Sequence, residues 1–565
     1  MRFLSIQRYF EKGGIMELLA LFVVLAATPT VTYDAEALPN KARPPWSSHD
    51  IENCSAAVED GVLHVRDDGT AHGELQFISY SWAAFADRPP SVEARVKVAS
   101  CSGPAGVIIL AADGVHEVGL TLFPDRIESH RLEARAEVNL ADDFHVVRLE
   151  MVGDNAVVKV DGHVVLDFTG ESTWEAHAGR NVVGFGSLSS AATGEAWWDY
   201  VTWSAEQPEV EVYAQAEHHI VYKHEDVYAC FPSLHRYGDD TLVSGFGTRV
   251  RRSHIDNTGG ATRMVSRDGG VTWEKADASV PHFNPDAVRA DGHLAIANAI
   301  GWRYVEEGEM ERLKAEGRTV RAVRPGTVAY LSGARFTVRS VTGEAIRPWT
   351  EIEVPPGGGM MTFHQAAYLN LGNGVRLVGI YDTGPDQRRS AHVLRTEDDG
   401  DSWSCLPVAL GDEQMSFNET ALGANAEGHV IALMRTAESS NKKQAGFLYQ
   451  VTSTDRGKTW SEPVDTGIWG YPTHLLLLPD GRLLATYGYR RAPMGIRVCF
   501  SHDGGQSWEV DNEIILRADG FGRGGDLGYP ITQRLGDGTL ATIYYFNGID
   551  NITHICLTRW TPPVK

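Results

Sequence analysis

The stretch Arg249-Val-Arg-Arg-Ser-His-Ile-Asp256 gathers three arginines, a histidine and a carboxylate. His254 belongs to the residue type that titrates near neutral pH, and Asp256 carries a carboxylate, so either could move a proton. Arg249, Arg435 (in Leu433-Met-Arg435) and Arg497 (in Gly495-Ile-Arg-Val) each carry a planar fork suited to a bidentate pair with a carboxylate. Glu419 lies in Phe417-Asn-Glu-Thr, and Tyr529 in Gly528-Tyr-Pro530. A phenol has a pKa of about 10 and is a poor nucleophile at neutral pH unless a neighbouring base takes its proton. Each residue also has a plainer reading, as an exposed arginine or a tyrosine buried at a sheet edge. Gly470-Tyr471-Pro472 repeats the Gly-Tyr-Pro sequence.

What must position these residues is a repeat. Ser266-Arg-Asp-Gly-Gly-Val-Thr-Trp273 reads Ser-x-Asp-x-Gly-x-Thr-Trp. The frame returns at Thr396–Trp403, Ser453–Trp460 and Ser501–Trp508. Asp and Ser/Thr side chains bond nearby backbone N–H groups, Gly permits a tight turn, and Trp pins the turn onto a sheet. The box aspartates are therefore expected to be structural. Hairpin pairs supply a second period: Asp239-Asp240, Asp291-Gly292, Asn373-Gly374, Glu427-Gly428, Asp480-Gly481 and Asp537-Gly538, each before an apolar or alternating run. Their spacing of mostly about 50–60 residues suits one four-stranded propeller blade each. Four boxes in six blades leave two without one: the second, which carries an insertion, and the last.

The chain is long enough for two or three domains, with abundant Gly and frequent Trp that fit many short strands. A formal charge of −23 argues against a nucleic-acid partner. The six cysteines show neither a CxxC pair nor zinc spacing, so no metal site is expected, and a Cys54–Cys101 disulfide is open if the protein is exported. In residues 1–35, basic residues precede the apolar run Leu18–Ala27, too short to span a bilayer but suited to a signal-peptide core, so export is favoured over a cytoplasmic location and no membrane span is expected.

Residues 36–205 lack boxes and show period-2 runs with hairpin punctuation, among them Ser91-Val-Glu-Ala-Arg-Val-Lys-Val and Phe144 to Phe168, which predicts an antiparallel β-sandwich closed by Trp197–Trp203. Residues 210–562 form the predicted propeller. In its second blade, Val305 to Glu316 is the one clear helical stretch, expected as a solvated face or as a wall of the pocket.

Box repeats in a six-bladed array, with a jelly-roll neighbour, resemble the sialidase (neuraminidase) superfamily, and the run Phe144–Phe168 resembles the late strands of laminin-G/concanavalin-A-like jelly rolls. The resemblance implies an all-β chain, a six-bladed β-propeller preceded by a jelly-roll sandwich, that needs no cofactor. It also implies a Tyr nucleophile paired with a Glu. By motif position Tyr529 matches the nucleophile, Glu419 its activating base and Arg435 one arginine of the carboxylate-binding triad. Arg497 is the best match for another, with Arg490 and Arg491 as rivals. Asp256 matches the acid/base, with His254 as the alternative. One departure stands out. Where sialidases place Arg-Ile-Pro, this chain has Cys230-Phe-Pro, so Arg249, Arg251 or Arg252 has replaced the missing arginine or the substrate is not an ordinary sialoside.

The resemblance implies a sialidase-like exo-glycosidase that releases a terminal acidic sugar from glycoconjugates. One alternative is a hydrolase or lyase for a uronic-acid-containing glycan with His254 or His364 active. The other is a non-catalytic carbohydrate-binding propeller. A glycan partner is common to all three, and the oligomeric state is left open.

Overall fold

The computed structural model describes residues 30–564 apart from 43, 49–52, 70–74, 82–89, 114–115, 130–132, 153–154, 169–173, 176–180, 190, 205–209, 250–258, 325, 356–358, 363–364, 384–387, 437–444, 492, 521–525, 549 and 551. The run Leu18–Ala27 therefore lies outside the described residues, as do Arg251, Arg252, His254, Asp256 and His364. The chain is all-β, and every strand pairing named below is antiparallel.

Residues 30–204 build two large sheets. In one, the strands run in the spatial order His163–Asp167, Asn155–Val160, His145–Val152, Ser91–Cys101, Gly194–Ser204, Val62–Asp67 and Cys54–Glu59, and Thr30–Tyr33 also pairs with Gly194–Ser204. The Trp197–Trp203 stretch thus closes the sheet in sequence but lies at its middle in space. The other sheet orders Phe77–Ser81, Asn181–Gly186, Ile108–Asp113, His116–Leu122, Arg126–Ser129 and Ala134–Glu137. Period 2 explains the packing: Val92, Ala94, Val96 and Val98 all point inward. They join Trp46, Tyr80, Phe185, Trp198 and Trp203 in one core enclosed by both sheets.

This topology corrects the disulfide expectation. Cys54 pairs with Asp67, Asp67 with Gly194, and Gly194 with Cys101, so three inter-strand steps, about 14 Å, separate the two thiols. Neither is in a disulfide; Cys54 Sγ donates to Asp67 Oδ1 (3.2 Å) and Cys101 Sγ to Gly103 O (3.2 Å).

Residues 217–560 form a series of smaller sheets in chain order. The first contains Tyr228–Cys230, His235–Arg236, Leu242–Arg249, Gly259–Ser266 and Glu274–Lys275. The second contains Leu294–Ala299, Ala334–Arg339 and Thr350–Ile352, interrupted by a separate three-stranded sheet of Trp302–Glu306, Val320–Arg324 and Thr327–Leu331. The third runs from Gly359–Thr362 to Ser404–Ala409, the fourth from Phe417–Ala424 to Val464–Trp469, and the fifth from Thr473–Leu477 to Ile514–Gly520. The sixth holds Gly528–Arg534, Leu540–Asn547 and Thr553–Trp560. Its fourth strand is Glu217–Tyr222, from the start of the series.

The boxes are turns that bond to themselves. Ser266 Oγ donates to Asp268 Oδ1 (2.7 Å) and accepts from Gly270 N (2.8 Å), while Asp268 also accepts from Thr272 N (2.9 Å). The Trp273 indole N–H donates to Gly270 O (3.0 Å). The other three boxes repeat the Ser/Thr–Asp–Gly pattern. Burial pushes Asp268 and Asp503 upward, but the bonds from Thr272 and Ser507 outweigh it and hold both carboxyls down at about 2.

The helical expectation in the insertion is only partly met. Trp302–Glu306 is a strand, Glu307–Glu309 a 3₁₀ turn, and the helix is Met310–Ala315, with Leu313 its buried residue. The charged run favours a helix locally, but pairing of Trp302–Glu306 with Thr327–Leu331 claims its first residues for a sheet.

Candidate active site

Tyr529 and Glu419 sit on the first strands of the sixth and fourth sheets, and both occupy register irregularities. Pairing with the neighbouring strand skips from Phe417 to Thr420 in one case and from Gly528 to Ile531 in the other. A bulge leaves a residue outside the ladder and re-aims its side chain. Pro530, which has no N–H for the ladder, helps fix the second one. Tyr529 has φ 52°, a left-handed conformation uncommon for a non-glycine residue. The backbones of the fifth and sixth sheets meet closely here: a Cβ on Gly488 would lie 3.0 Å from the Gly528 Cα.

The two irregularities bring the side chains together. The Tyr529 hydroxyl donates to Glu419 Oε1, and Arg435, from the next strand of the fourth sheet, donates to Glu419 Oε2 (2.8 Å). One carboxylate therefore holds a phenol on one oxygen and a guanidinium on the other. Burial, then the Glu419 charge, holds the Tyr529 phenol well above its ordinary range, while Arg435 and Arg490 pull it back. The phenol is protonated at neutral pH and carries its own acceptor.

Aromatic rings frame this cluster. Phe231 meets Tyr529 edge-on at 4.6 Å between centroids, and Tyr545 lies at 5.7 Å. The Arg435 guanidinium lies 4.1 Å from the Tyr471 ring centroid, and Arg490 lies 5.2 Å from that ring and 6.0 Å from the Tyr529 ring. The two Gly-Tyr-Pro sequences thus converge on one place. Arg490 donates to Leu527 O (3.0 Å) and to the Tyr545 hydroxyl (3.4 Å). Tyr545 in turn donates to Asp526 Oδ1 (2.5 Å), and Tyr228 donates to Asp526 Oδ2.

Arg497 is directed elsewhere. It pairs with Glu513, which also accepts from the Tyr487 hydroxyl, and its guanidinium lies 3.3 Å from the Tyr489 ring centroid. Of the rival arginines, Arg490 is the one beside Tyr529. Arg491 is exposed and stacks on Trp469 at 3.9 Å.

Arg249 ends its strand opposite Tyr228 and folds back over Gly247 toward the buried Cys230 thiol. A Cβ on Gly247 would come within 3.3 Å of the Arg249 guanidinium. Burial pushes the Cys230 thiol up to about 12, which leaves it protonated and unreactive, a packed side chain beside an arginine. Phe231, with φ 58°, carries the chain from Cys230 onto Tyr529. The flanking residues Phe231, Asp526 and Tyr545 were not singled out from the sequence; the repeated Gly-Tyr-Pro was the one signal pointing to Tyr471. Among the described residues no group of three or more His, Cys, Asp or Glu is placed to hold a metal ion, and no helix is long and apolar enough to cross a membrane.

A BNR repeat-like domain matches residues 327–542. No curated protein matches the chain. Among solved structures, a protein of unknown function from Dyadobacter fermentans DSM 18053 is 26% identical with a TM-score of 0.51, covering 62% of this chain and 100% of that one. The NanB sialidase from Streptococcus pneumoniae is 11% identical with a TM-score of 0.40, over 85% of this chain and 95% of that one. The alpha-L-arabinanase from Penicillium chrysogenum is 12% identical with a TM-score of 0.36, over 61% and 97%.

Proposed function

We propose that this chain is a sialidase-like exo-glycosidase that removes a terminal acidic sugar from a glycoconjugate, built as a jelly-roll sandwich (residues 36–205) followed by a six-bladed propeller (residues 210–562). The ring reading draws support from two contacts: Glu217–Tyr222 completes the sixth sheet, and the Gly270 turn of the first box sits on Leu557 of that sheet. The observation that carries the function is the Tyr529–Glu419–Arg435 cluster.

In this reading Glu419 accepts the Tyr529 proton as the phenol oxygen attacks the anomeric carbon. Arg435 and Arg490 pair with the sugar carboxylate, joined by Arg249 in place of the arginine absent at Cys230. Asp256 protonates the leaving oxygen and then activates water, which gives net retention; His254 assists or replaces it on the same loop. A neutral phenol suits an anionic substrate because it approaches without charge repulsion, and Glu419 is already shielded by Arg435.

A second reading, a hydrolase or lyase for a uronic-acid-containing glycan, is favoured by the Cys230 thiol, which removes one guanidinium from the expected set. The test is hydrolysis of a fluorogenic N-acetylneuraminic acid glycoside by the full chain beside Tyr529→Phe and Asp256→Ala. Activity that collapses in both variants supports the sialidase reading. An inactive wild type that cleaves uronosides supports the second. Activity that survives in both variants rejects the residue assignment.

A further inference from the structure

Each box turn has a second contact besides its own hydrogen bonds. The box glycine presses onto a strand of the sheet that comes before it in the series. A Cβ on Gly400 would lie 2.5 Å from Ala295 in the second sheet, on Gly457 2.7 Å from Leu377 in the third, and on Gly505 3.1 Å from Ile431 in the fourth. For Gly270 the contact is Leu557 in the sixth sheet, at 2.8 Å. The box is thus a wedge that fills the seam between neighbouring sheets.

The second sheet has no box. Its corresponding turn is Ser340 to Glu344, closed by Gly343 N donating to Ser340 O (3.0 Å); the nearest tryptophan, Trp349, lies beyond the box frame and packs against Arg335 (4.0 Å) and Arg339 (5.7 Å). The seam it would have filled, between the first and second sheets, is open. A cleft of about 550 Å³ lies there, bounded by Arg263, His282, Asn284, Ile296, Arg339 and Tyr368. That volume is in the range of small-molecule sites.

The chemistry of the walls is one-sided. In a chain of net charge −23, the cleft is lined by two arginines and a histidine and by no carboxylate. The Arg263 guanidinium makes no ion pair or hydrogen bond with any described residue. Arg339 is opposite Leu294 on the facing strand pair and donates one hydrogen bond to Gly343 O (2.9 Å). His282 lies over Gly245, the partner position of Arg263, because a Cβ there would fall 2.4 Å from the imidazole. Burial and then the Arg263 charge lower the His282 pKa, and its Nε2 already shares a hydrogen bond with Ser233 Oγ (3.3 Å). Phe283, Ile296 and Tyr368 give the wall an apolar and aromatic part, and Ser279, Asn284 and Thr342 add neutral polar groups.

We propose that this cleft is a second binding site, separate from the Tyr529 cluster, for a carboxylated monosaccharide unit of hexuronate size. The carboxylate pairs with Arg263 and Arg339, and the C–H face of the ring lies on the apolar wall. The absent box is what makes the room.

Calorimetric titration of D-glucuronate into the full chain tests this. The variants are Arg263→Ala, Arg263→Lys, Ile296→Trp and Arg490→Ala, with D-glucose as the uncharged probe. The expected result is glucuronate binding that weakens at least tenfold in Arg263→Ala and in Ile296→Trp, which fills the cleft. Binding should stay within about threefold in Arg490→Ala, and D-glucose should give no heat. Arg263→Lys retains most of the affinity, which separates charge from folding. No glucuronate binding, binding unchanged in both Arg263→Ala and Ile296→Trp, or a loss confined to Arg490→Ala overturns the proposal; the last outcome would report the Tyr529 cluster instead.

Discussion

The Tyr529 hydroxyl donates to Glu419 Oε1 across a sequence separation of 110 residues. Each residue sits at a register irregularity, on two different sheets, where a bulge re-aims a side chain. A carboxylate that accepts from a phenol on one oxygen and from Arg435 on the other is held in one orientation. It is the arrangement required of a base that must take a proton from an otherwise weak nucleophile.

Removing either member of this pair is expected to abolish turnover without abolishing binding. In the proposed mechanism Tyr529→Phe deletes the attacking oxygen and Glu419→Gln deletes the base, and each should lower kcat by about 10²–10⁴-fold. Because the two act as one unit, the double variant should lose little more than the worse single variant. Steady-state kinetics of the three proteins decides this. Losses that multiply would show that the two side chains do not share a step.

Arg490 and Arg497 separate binding from folding. Arg490 stands beside Tyr529 and Tyr471, whereas Arg497 is buried against Glu513. Arg490→Ala is expected to raise KM at least tenfold, a cost of about 1.4 kcal/mol or more in binding, with little change in Tm. Arg497→Ala strands the partly buried Glu513 and should destabilise the fold by on the order of 3 kcal/mol while KM stays near wild type. Kinetics and thermal unfolding of both variants check the split. The reverse pattern would favour Arg497 over Arg490 for the proposed carboxylate contact.

These two arginines also show where the sequence stops being legible. The box frame encodes its own hydrogen bonds, so Ser266, Asp268 and Trp273 could be assigned before any coordinates. Glu419, Arg435 and Tyr529 were found through motif position, and they meet. The choice of Arg490 over Arg497 depends on which face a strand residue presents, and one step in register reverses that face. Arg497 falls inside Met494–Ser501 opposite Tyr487, while Arg490 lies just past the end of Leu483–Tyr489. Bulges at Glu419 and Tyr529 have no sequence signature beyond Pro530. The Cys54–Cys101 pairing failed for a similar reason: their separation is set by strand order, which spacing along the chain does not encode.

Buried tyrosines should set the alkaline limit of stability. Burial raises Tyr529, Tyr545 and Tyr487 well above the ordinary phenol range and Tyr544 up to about 12. A group whose folded pKa exceeds its unfolded value contributes stability that is complete below the unfolded value, about 10, and is lost as pH rises toward the folded one. The unfolding free energy should therefore be flat up to about pH 10 and fall above it. Urea unfolding across pH 8–12, with phenolate absorbance recorded alongside, measures this. Phenolate appearing in the native protein below pH 10 from these residues, detected by its loss in Tyr529→Phe, would contradict it.

The box aspartates set the opposite limit by the same linkage with the sign reversed. Asp268 and Asp503 are held at about 2, with burial opposing and the Thr272, Ser266, Ser507 and Ser501 bonds prevailing. A depressed folded pKa gives stability that is present above the unfolded value, about 4, and disappears as pH falls through the folded one. Acid unfolding should therefore develop between about pH 4 and pH 2. Asp503→Ala should cost about 2 kcal/mol at pH 7, the loss of hydrogen bonds to a charged acceptor, and should make the acid limb shallower by one group's share, since Asp268, Asp398 and Asp455 still titrate. Asp503→Asn should recover part of the neutral-pH stability and share the flatter limb. Denaturant melts of the three proteins at pH 7 and pH 3 distinguish the cases: an acid limb as steep in Asp503→Ala as in the wild type would show that Asp503 takes no part in the acid transition.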